Sequence, residues 1–145
     1  MAYGLLIDTE WCTGCHTCEM ACQMHNGLPV GQTGIIVQEI GPWEIGDGKW
    51  QLSYLPALTS QCSGCASRVA EGKMPICVDA CPLRALEFGD IEKLRAAHPG
   101  TVDGIAPMAP PDATKPSVAI LACPAAKDCG DTTGAIANPK EVENA

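Results

Sequence analysis

Four cysteines fall in the stretch Trp11-Cys12-Thr13-Gly14-Cys15-His16-Thr17-Cys18-Glu19-Met20-Ala21-Cys22, at spacing C-x2-C-x2-C-x3-C. At this spacing a short loop can wrap a cubane iron–sulfur cluster. The small residues Thr13, Gly14 and Thr17 let the backbone fold close and aim the thiolates of Cys12, Cys15 and Cys18 at one centre. Cys22 lies beyond the reach of the same cube. In proteins that carry two such clusters, the fourth cysteine of a run ligates the other cluster. One run therefore predicts a second.

The second run opens with Cys62-Ser63-Gly64-Cys65 and closes with Cys77-Val78-Asp79-Ala80-Cys81-Pro82. Its spacing is C-x2-C-x11-C-x3-C-P, with the insert Ala66 to Ile76 ahead of the third cysteine. Both runs end in C-x3-C, which makes a weak internal repeat with reciprocal logic. The expected ligands are Cys12, Cys15, Cys18 and Cys81 for a first [4Fe–4S] cluster, and Cys62, Cys65, Cys77 and Cys22 for a second.

Three other uses of these thiols compete. Structural zinc takes two separate C-x2-C knuckles per ion, whereas a third thiolate two residues on and a fourth three later suit cubanes better. Disulfides fit poorly, because cysteines this crowded cannot all pair locally and no secretory signal argues for an oxidising compartment. Inert buried thiols rarely repeat in register. Cys123 and Cys129, at C-x5-C spacing, match neither run and read as free or structural thiols, with a disulfide between them as an option.

Around these loops the chain is short and acidic. It has 145 residues and a formal net charge of −8, with no Lys or Arg before Lys49. That length suits one domain, or one domain with an arm. An acidic surface argues against nucleic acid and fits docking on a basic protein patch. The N-terminus lacks a charged n-region and an apolar h-region, so no secretory signal is expected. The longest apolar run, Val118 to Cys123, is too short to span a bilayer, so no direct membrane insertion is expected. The expected location is the cytoplasm, or the periplasm by co-export with a partner that carries the signal.

The elements that must position the cysteines are legible in part. Tyr3 to Asp8 reads as a short buried strand feeding the first loop. A helix follows Cys15, with His16, Glu19 and Gln23 on a polar face, and Asn26-Gly27 ends it. Thr33 to Ile40 and Trp50 to Leu55 read as strands of a β-hairpin around the turn Gly46-Asp47-Gly48. Trp43 and Trp50 are expected to cover a cluster or the core. Pro82 to Phe88 reads as a strand, and Asp90 to Ala97 as a short helix capped by Asp90. From His98 the prolines 99, 107, 110, 111 and 116 break regular structure. Val118 to Leu121 is a candidate last strand, and Asp128 to Ala145 a polar tail. The expected fold is α+β: a ferredoxin-like two-[4Fe–4S] domain over residues 1–97, with short strands and an inserted β-hairpin. A long, irregular, Pro-rich C-terminal arm and tail follow over residues 98–145. The arm's apolar residues and prolines point to docking along a partner or across the chain's own core, rather than to a solvated linker.

These residues together resemble a known family. Tyr-Gly-Leu-Leu-Ile-Asp and the first cysteine run are similar to the electron-transfer iron–sulfur subunits of the dimethyl sulfoxide reductase family. So are Cys-Ser-Gly-Cys-Ala-Ser-Arg-Val-Ala-Glu-Gly, Cys-Val-Asp-Ala-Cys-Pro, Phe88-Gly89-Asp90 and Thr114-Lys115-Pro116-Ser117-Val118. The likeness covers residues 3 to about 121. Those subunits usually carry four cysteine groups and four clusters, and this sequence looks like the first and fourth groups alone. In the family these two groups ligate one pair of clusters between them. The departure therefore removes a whole ferredoxin-like unit, the one leading away from the catalytic subunit towards a membrane quinol site.

The resemblance implies a non-catalytic electron-transfer subunit, whose partner is a catalytic subunit carrying a molybdenum or tungsten pterin. The residues agree: the three histidines are scattered, and no nucleophile–base pair stands out. Arg68, Lys73 and Arg84 lie near ligands in sequence, where they would raise a potential or serve as ordinary surface charges. A free-standing two-cluster ferredoxin and a zinc-stabilised binding module are the alternatives. With one Phe, two Tyr and three Trp, the chain has few large core residues, and clusters would replace part of the core. Iron removal by a chelator under reducing conditions should therefore abolish cooperative unfolding. An apo protein that keeps native near-ultraviolet circular dichroism would contradict this.

Overall fold

In the strand β1 (Tyr3–Asp8), residues 4–7 are buried, so both faces of the strand are covered. Successive side chains of a strand point to opposite faces. Leu5 and Ile7 accordingly join the core that holds Cys18, Cys22 and Cys77, while Leu6 packs on the other side with Ile91 and Leu94. The computed structural model describes residues 3–46, 48–101 and 118–121. Residues 102–117, the remainder of the arm and tail, and Cys123 and Cys129 lie outside the described residues.

The cysteine face of β1 is closed by α1 (Thr17–Asn26), which follows the first cysteine loop. Gly27 ends this helix at φ 60°, where its N–H and that of Leu28 return to the carbonyls of Met24 and Gln23. A hairpin comes next: β2 (Ile35–Gly46) and β3 (Lys49–Leu58), antiparallel, with Ile35 opposite Leu58. Its register shifts between Ile40 and Trp43, where Pro42 offers no N–H to the ladder. Buried Ile35, Val37, Ile40 and Leu55 bring the base of the hairpin into the core. Trp50 is 61% exposed and covers neither a cluster loop nor the core, contrary to the expectation from sequence. It sits next to the turn, past the reach of the core that the hairpin base joins. The side chain of Trp43 is outside the described residues.

The second cysteine run contains two short helices, α2 (Ala66–Ala70) and α3 (Ile76–Ala80). Helix α3 packs on α1. The strand expected from Pro82 begins only at Leu86: β4 (Leu86–Asp90) follows a turn in which Arg84 takes φ 53°. β4 pairs antiparallel with β1, Leu5 opposite Phe88. The helix α4 (Ile91–Ala97) starts at Asp90, whose carboxylate accepts from the N–H of Glu92, and it lies over β1. From the Pro-rich region, β5 (Val118–Leu121) pairs parallel with β1, giving the order β4-β1-β5. The chain beyond residue 97 thus contributes a strand to the sheet of the preceding unit. A truncation after Ala97 would strip that strand as well as the arm. Among the described residues, no helix is long and apolar enough to cross a membrane.

Candidate iron–sulfur site

The two cysteine runs share one backbone turn. In Cys12-Thr13-Gly14-Cys15 and in Cys62-Ser63-Gly64-Cys65 the glycine is left-handed, at φ 70° and 68°. His16 and Cys65 also have positive φ, 59° and 50°, and each caps the helix that follows. This turn aims the Gly64 N–H at the Cys62 sulfur, 3.4 Å away. The Gly14 N–H does the same for Cys12. An N–H donor favours the charged form of the sulfur it meets.

The C-x3-C endings place Cys18 and Cys22 one turn apart on α1, and Cys77 on α3 with Cys81 as the extended residue that ends it. Because α1 and α3 pack together, each helix serves two hollows. One hollow is a cavity of about 450 Å³ whose lining includes Cys22, Cys62, Cys65 and Cys77. Its other walls are largely apolar, with Leu5, Ile35, Leu58, Val69, Ile76 and Phe88 among them. The other is a narrower cleft of about 20 Å³ lined by Cys12, Cys15, Cys18 and Cys81, with Val37, Pro56 and Leu86. It opens to solvent at the exposed Cys15. All eight cysteines of the two runs are free thiols. Among the described residues, no three His, Cys, Asp or Glu side chains are grouped closely enough to hold a single metal ion. Four sulfurs standing around a hollow, rather than meeting at a point, is the donor layout of a cluster. The all-thiol sets therefore fit the chemistry of [4Fe–4S] ligation.

Electrostatics separates the thiols. Burial pushes Cys18 and Cys77 up to about 12. Cys77 is raised further by Cys65, Cys18, Cys62 and Cys22 around it. Burial also raises Cys12. Cys15, at the solvent edge, is lowered, chiefly by the Thr17 hydroxyl 3.2 Å from its sulfur. A cation that replaces the protons is what such buried thiols lack.

Several supporting residues carry no signal of their own in the sequence. Glu19 accepts from the Val37 N–H, tying α1 to β2, and its carboxylate lies 3.1 Å from His16 Nδ1. Gly34 lies against the second set: a Cβ there would stand 3.0 Å from the Cys62 Cα and 3.2 Å from the Cys22 sulfur. Asn26 reads from sequence as part of the helix stop, not as a site residue, yet its Nδ2 reaches the Cys22 sulfur at 3.5 Å. The three cations singled out from sequence have distinct surroundings. Arg68 pairs with Asp79 and donates Nε to the Met74 carbonyl at 2.8 Å, so it ties the insert to α3. Lys73 pairs with Glu71 at 2.6 Å, on the surface. Arg84 is exposed, beside a groove that Cys81 also lines.

Gly14 is constrained twice, by its positive φ and by the Tyr54 ring, 2.6 Å from where a Cβ would sit. Gly27 has a similar φ of 60° but nothing within 4 Å of its Cβ position. Gly14→Ala should cost about 1–3 kcal/mol from the backbone alone, and more for displacing Tyr54. The urea midpoint of the cluster-loaded protein should fall further for Gly14→Ala than for Gly27→Ala. Equal shifts would show that Tyr54 does not limit this position.

Known proteins share these features. A family described as a 4Fe-4S binding domain matches residues 3–24. The chain is 41% identical over 138 residues to the probable anaerobic dimethyl sulfoxide reductase subunit YnfG of Escherichia coli (strain K12). It is 39% identical over 138 residues to the B subunit of anaerobic dimethyl sulfoxide reductase from the same organism. Both matches cover 95% of this chain and 56% of the relative, so the chain spans little more than half the length of these relatives. It is also 29% identical over 83 residues to the B subunit of polysulfide reductase from Wolinella succinogenes, covering 57% of this chain and 38% of that one. Over nearly its whole length, cysteine runs included, the chain is similar to a little more than half of the dimethyl sulfoxide reductase B subunit.

Proposed function

We propose that this chain is an electron-transfer subunit that relays single electrons through two [4Fe–4S] clusters, to or from a catalytic subunit carrying a molybdenum or tungsten pterin. The observation that carries the reading is the sorting of eight thiols around two hollows, four to each, with α1 and α3 each contributing to both. In this reading Cys12, Cys15, Cys18 and Cys81 hold one cluster, and Cys62, Cys65, Cys77 and Cys22 hold the other. A bound cubane supplies one-electron chemistry at a potential set by its surroundings. The chain's own contribution is placement and insulation. Leu5, Ile35, Leu58 and Phe88 give the second site apolar walls, and backbone N–H groups of Gly64 and Ala85 face the sulfurs of Cys62 and Cys81. The names of the relatives, subunits of dimethyl sulfoxide and polysulfide reductases, support a place in a multi-subunit reductase.

Two experiments test this. Capture of the native protein under anaerobic conditions should bring down a large partner containing molybdenum or tungsten. Recovery of the chain alone, coloured and redox-active, would favour a free-standing ferredoxin instead. In the purified chain, Cys22→Ser should damage the cluster held by Cys62, Cys65 and Cys77 and spare the one beside it in sequence. Spectroscopic loss of only the cluster at Cys12, Cys15 and Cys18 would overturn the ligand assignment.

A further inference from the structure

Backbone N–H groups of Gly64 and Ala85 reach cysteine sulfurs, and so do two side chains. Both side chains belong to α1, at its opposite ends. At its start, Thr17 Oγ1 donates to the Cys15 sulfur at 3.2 Å. At its end, Asn26 Nδ2 donates to the Cys22 sulfur at 3.5 Å. The Asn26 amide has a fixed orientation, because the same nitrogen donates to the Cys22 carbonyl at 2.8 Å. That bond spans i to i+4, so the regular helix brings the amide over the sulfur. Asn26 also forms part of the wall of the larger cavity. Each donor thus addresses one cysteine set and leaves the other alone.

Donors to ligand sulfurs are among the features that set a cluster's potential, because they stabilise the extra negative charge of the reduced state. We infer that Asn26 and Thr17 are positioning residues that tune the two clusters separately: Asn26 raises the potential of the cluster on Cys22, Cys62, Cys65 and Cys77, and Thr17 that of the cluster on Cys12, Cys15, Cys18 and Cys81. The inference rests on the proposed function, since it presumes both clusters. Helix α1 then contributes to the potential of each cluster, and so to the potential difference across the pair. Cys22 is buried and Cys15 exposed, so the two donors act on sulfurs in different surroundings.

The test uses the full chain loaded with its clusters. Each midpoint potential is followed by electron paramagnetic resonance, with signals assigned through ligand variants such as Cys62→Ser. Asn26→Leu keeps the volume and removes the donor. It should lower the potential of the cluster on Cys62 and leave the other unmoved. Asn26→Asp puts an acceptor in the same place and should lower it further. Thr17→Val should give the complementary result, a downward shift confined to the cluster on Cys12. Iron content and unfolding midpoint, measured alongside, separate tuning from damage. Should Asn26→Leu lose iron, Asn26→Gln, which keeps the amide, and Thr17→Val still decide the matter by whether any shift is confined to one cluster. Loaded variants with unchanged potentials, or with both potentials moved equally, overturn the inference while leaving the electron-transfer reading intact. Absence of cubane signals from the unaltered protein overturns that reading instead.

Discussion

Cysteines four residues apart along a helical turn have Cβ atoms roughly 5–6 Å apart, so their sulfurs can turn to different sides. In α1 and α3 this separation is used to reach two hollows from each helix. Everything nearby follows from packing those two helices together. β1 supplies a floor of Leu5 and Ile7, the hairpin base closes one side with Ile35 and Val37, and the paired Cys-x2-Cys turns close the ends. The reciprocal sharing also ties the two halves of the sequence to each other. Neither run lines a hollow with four thiols without the other.

The thiols make this core unusual in its energetics. Cys18, Cys22 and Cys77 sit among Leu, Ile and Val side chains as if they were apolar residues. Burial drives Cys18 and Cys77 up to about 12, so without a cation they remain protonated at neutral pH. In the proposed function, iron would displace those protons as it binds, and its binding free energy would become folding free energy. With so few aromatic residues, the chain has little other core to draw on. The two sites also differ. One is a roomy, mostly apolar cavity, and the other a tight cleft whose Cys15 edge meets solvent.

Much of the frame was legible because its signals are local. The buried strand at Tyr3–Asp8, the helix stop at Asn26-Gly27, the hairpin and the Asp90 cap each rest on a few adjacent residues. Helices α2 and α3 were not, since five residues are too few to show a helical period. Nor was the order β4-β1-β5, which depends on a parallel return across a long separation. Trp50 misled because an aromatic residue in an alternating strand reads as buried, while its place beside the turn leaves it exposed. Of the site, the two cysteine runs stand in the sequence as spacing. The contacts that constrain it do not: Gly14 on Tyr54, Gly34 on Cys22, Arg68 on Asp79. Those are side-chain meetings across the fold, and no periodicity records them.

In the proposed function two cubanes lie side by side, joined through α1 and α3. Electron paramagnetic resonance of the fully reduced protein, paired with iron and acid-labile sulfide analysis, tests this most directly. The expected result is iron and sulfide sufficient for two cubanes, and a broadened spectrum of two reduced clusters coupled by their proximity. A colourless protein with stoichiometric zinc, or a single uncoupled cluster signal at full reduction, would contradict it.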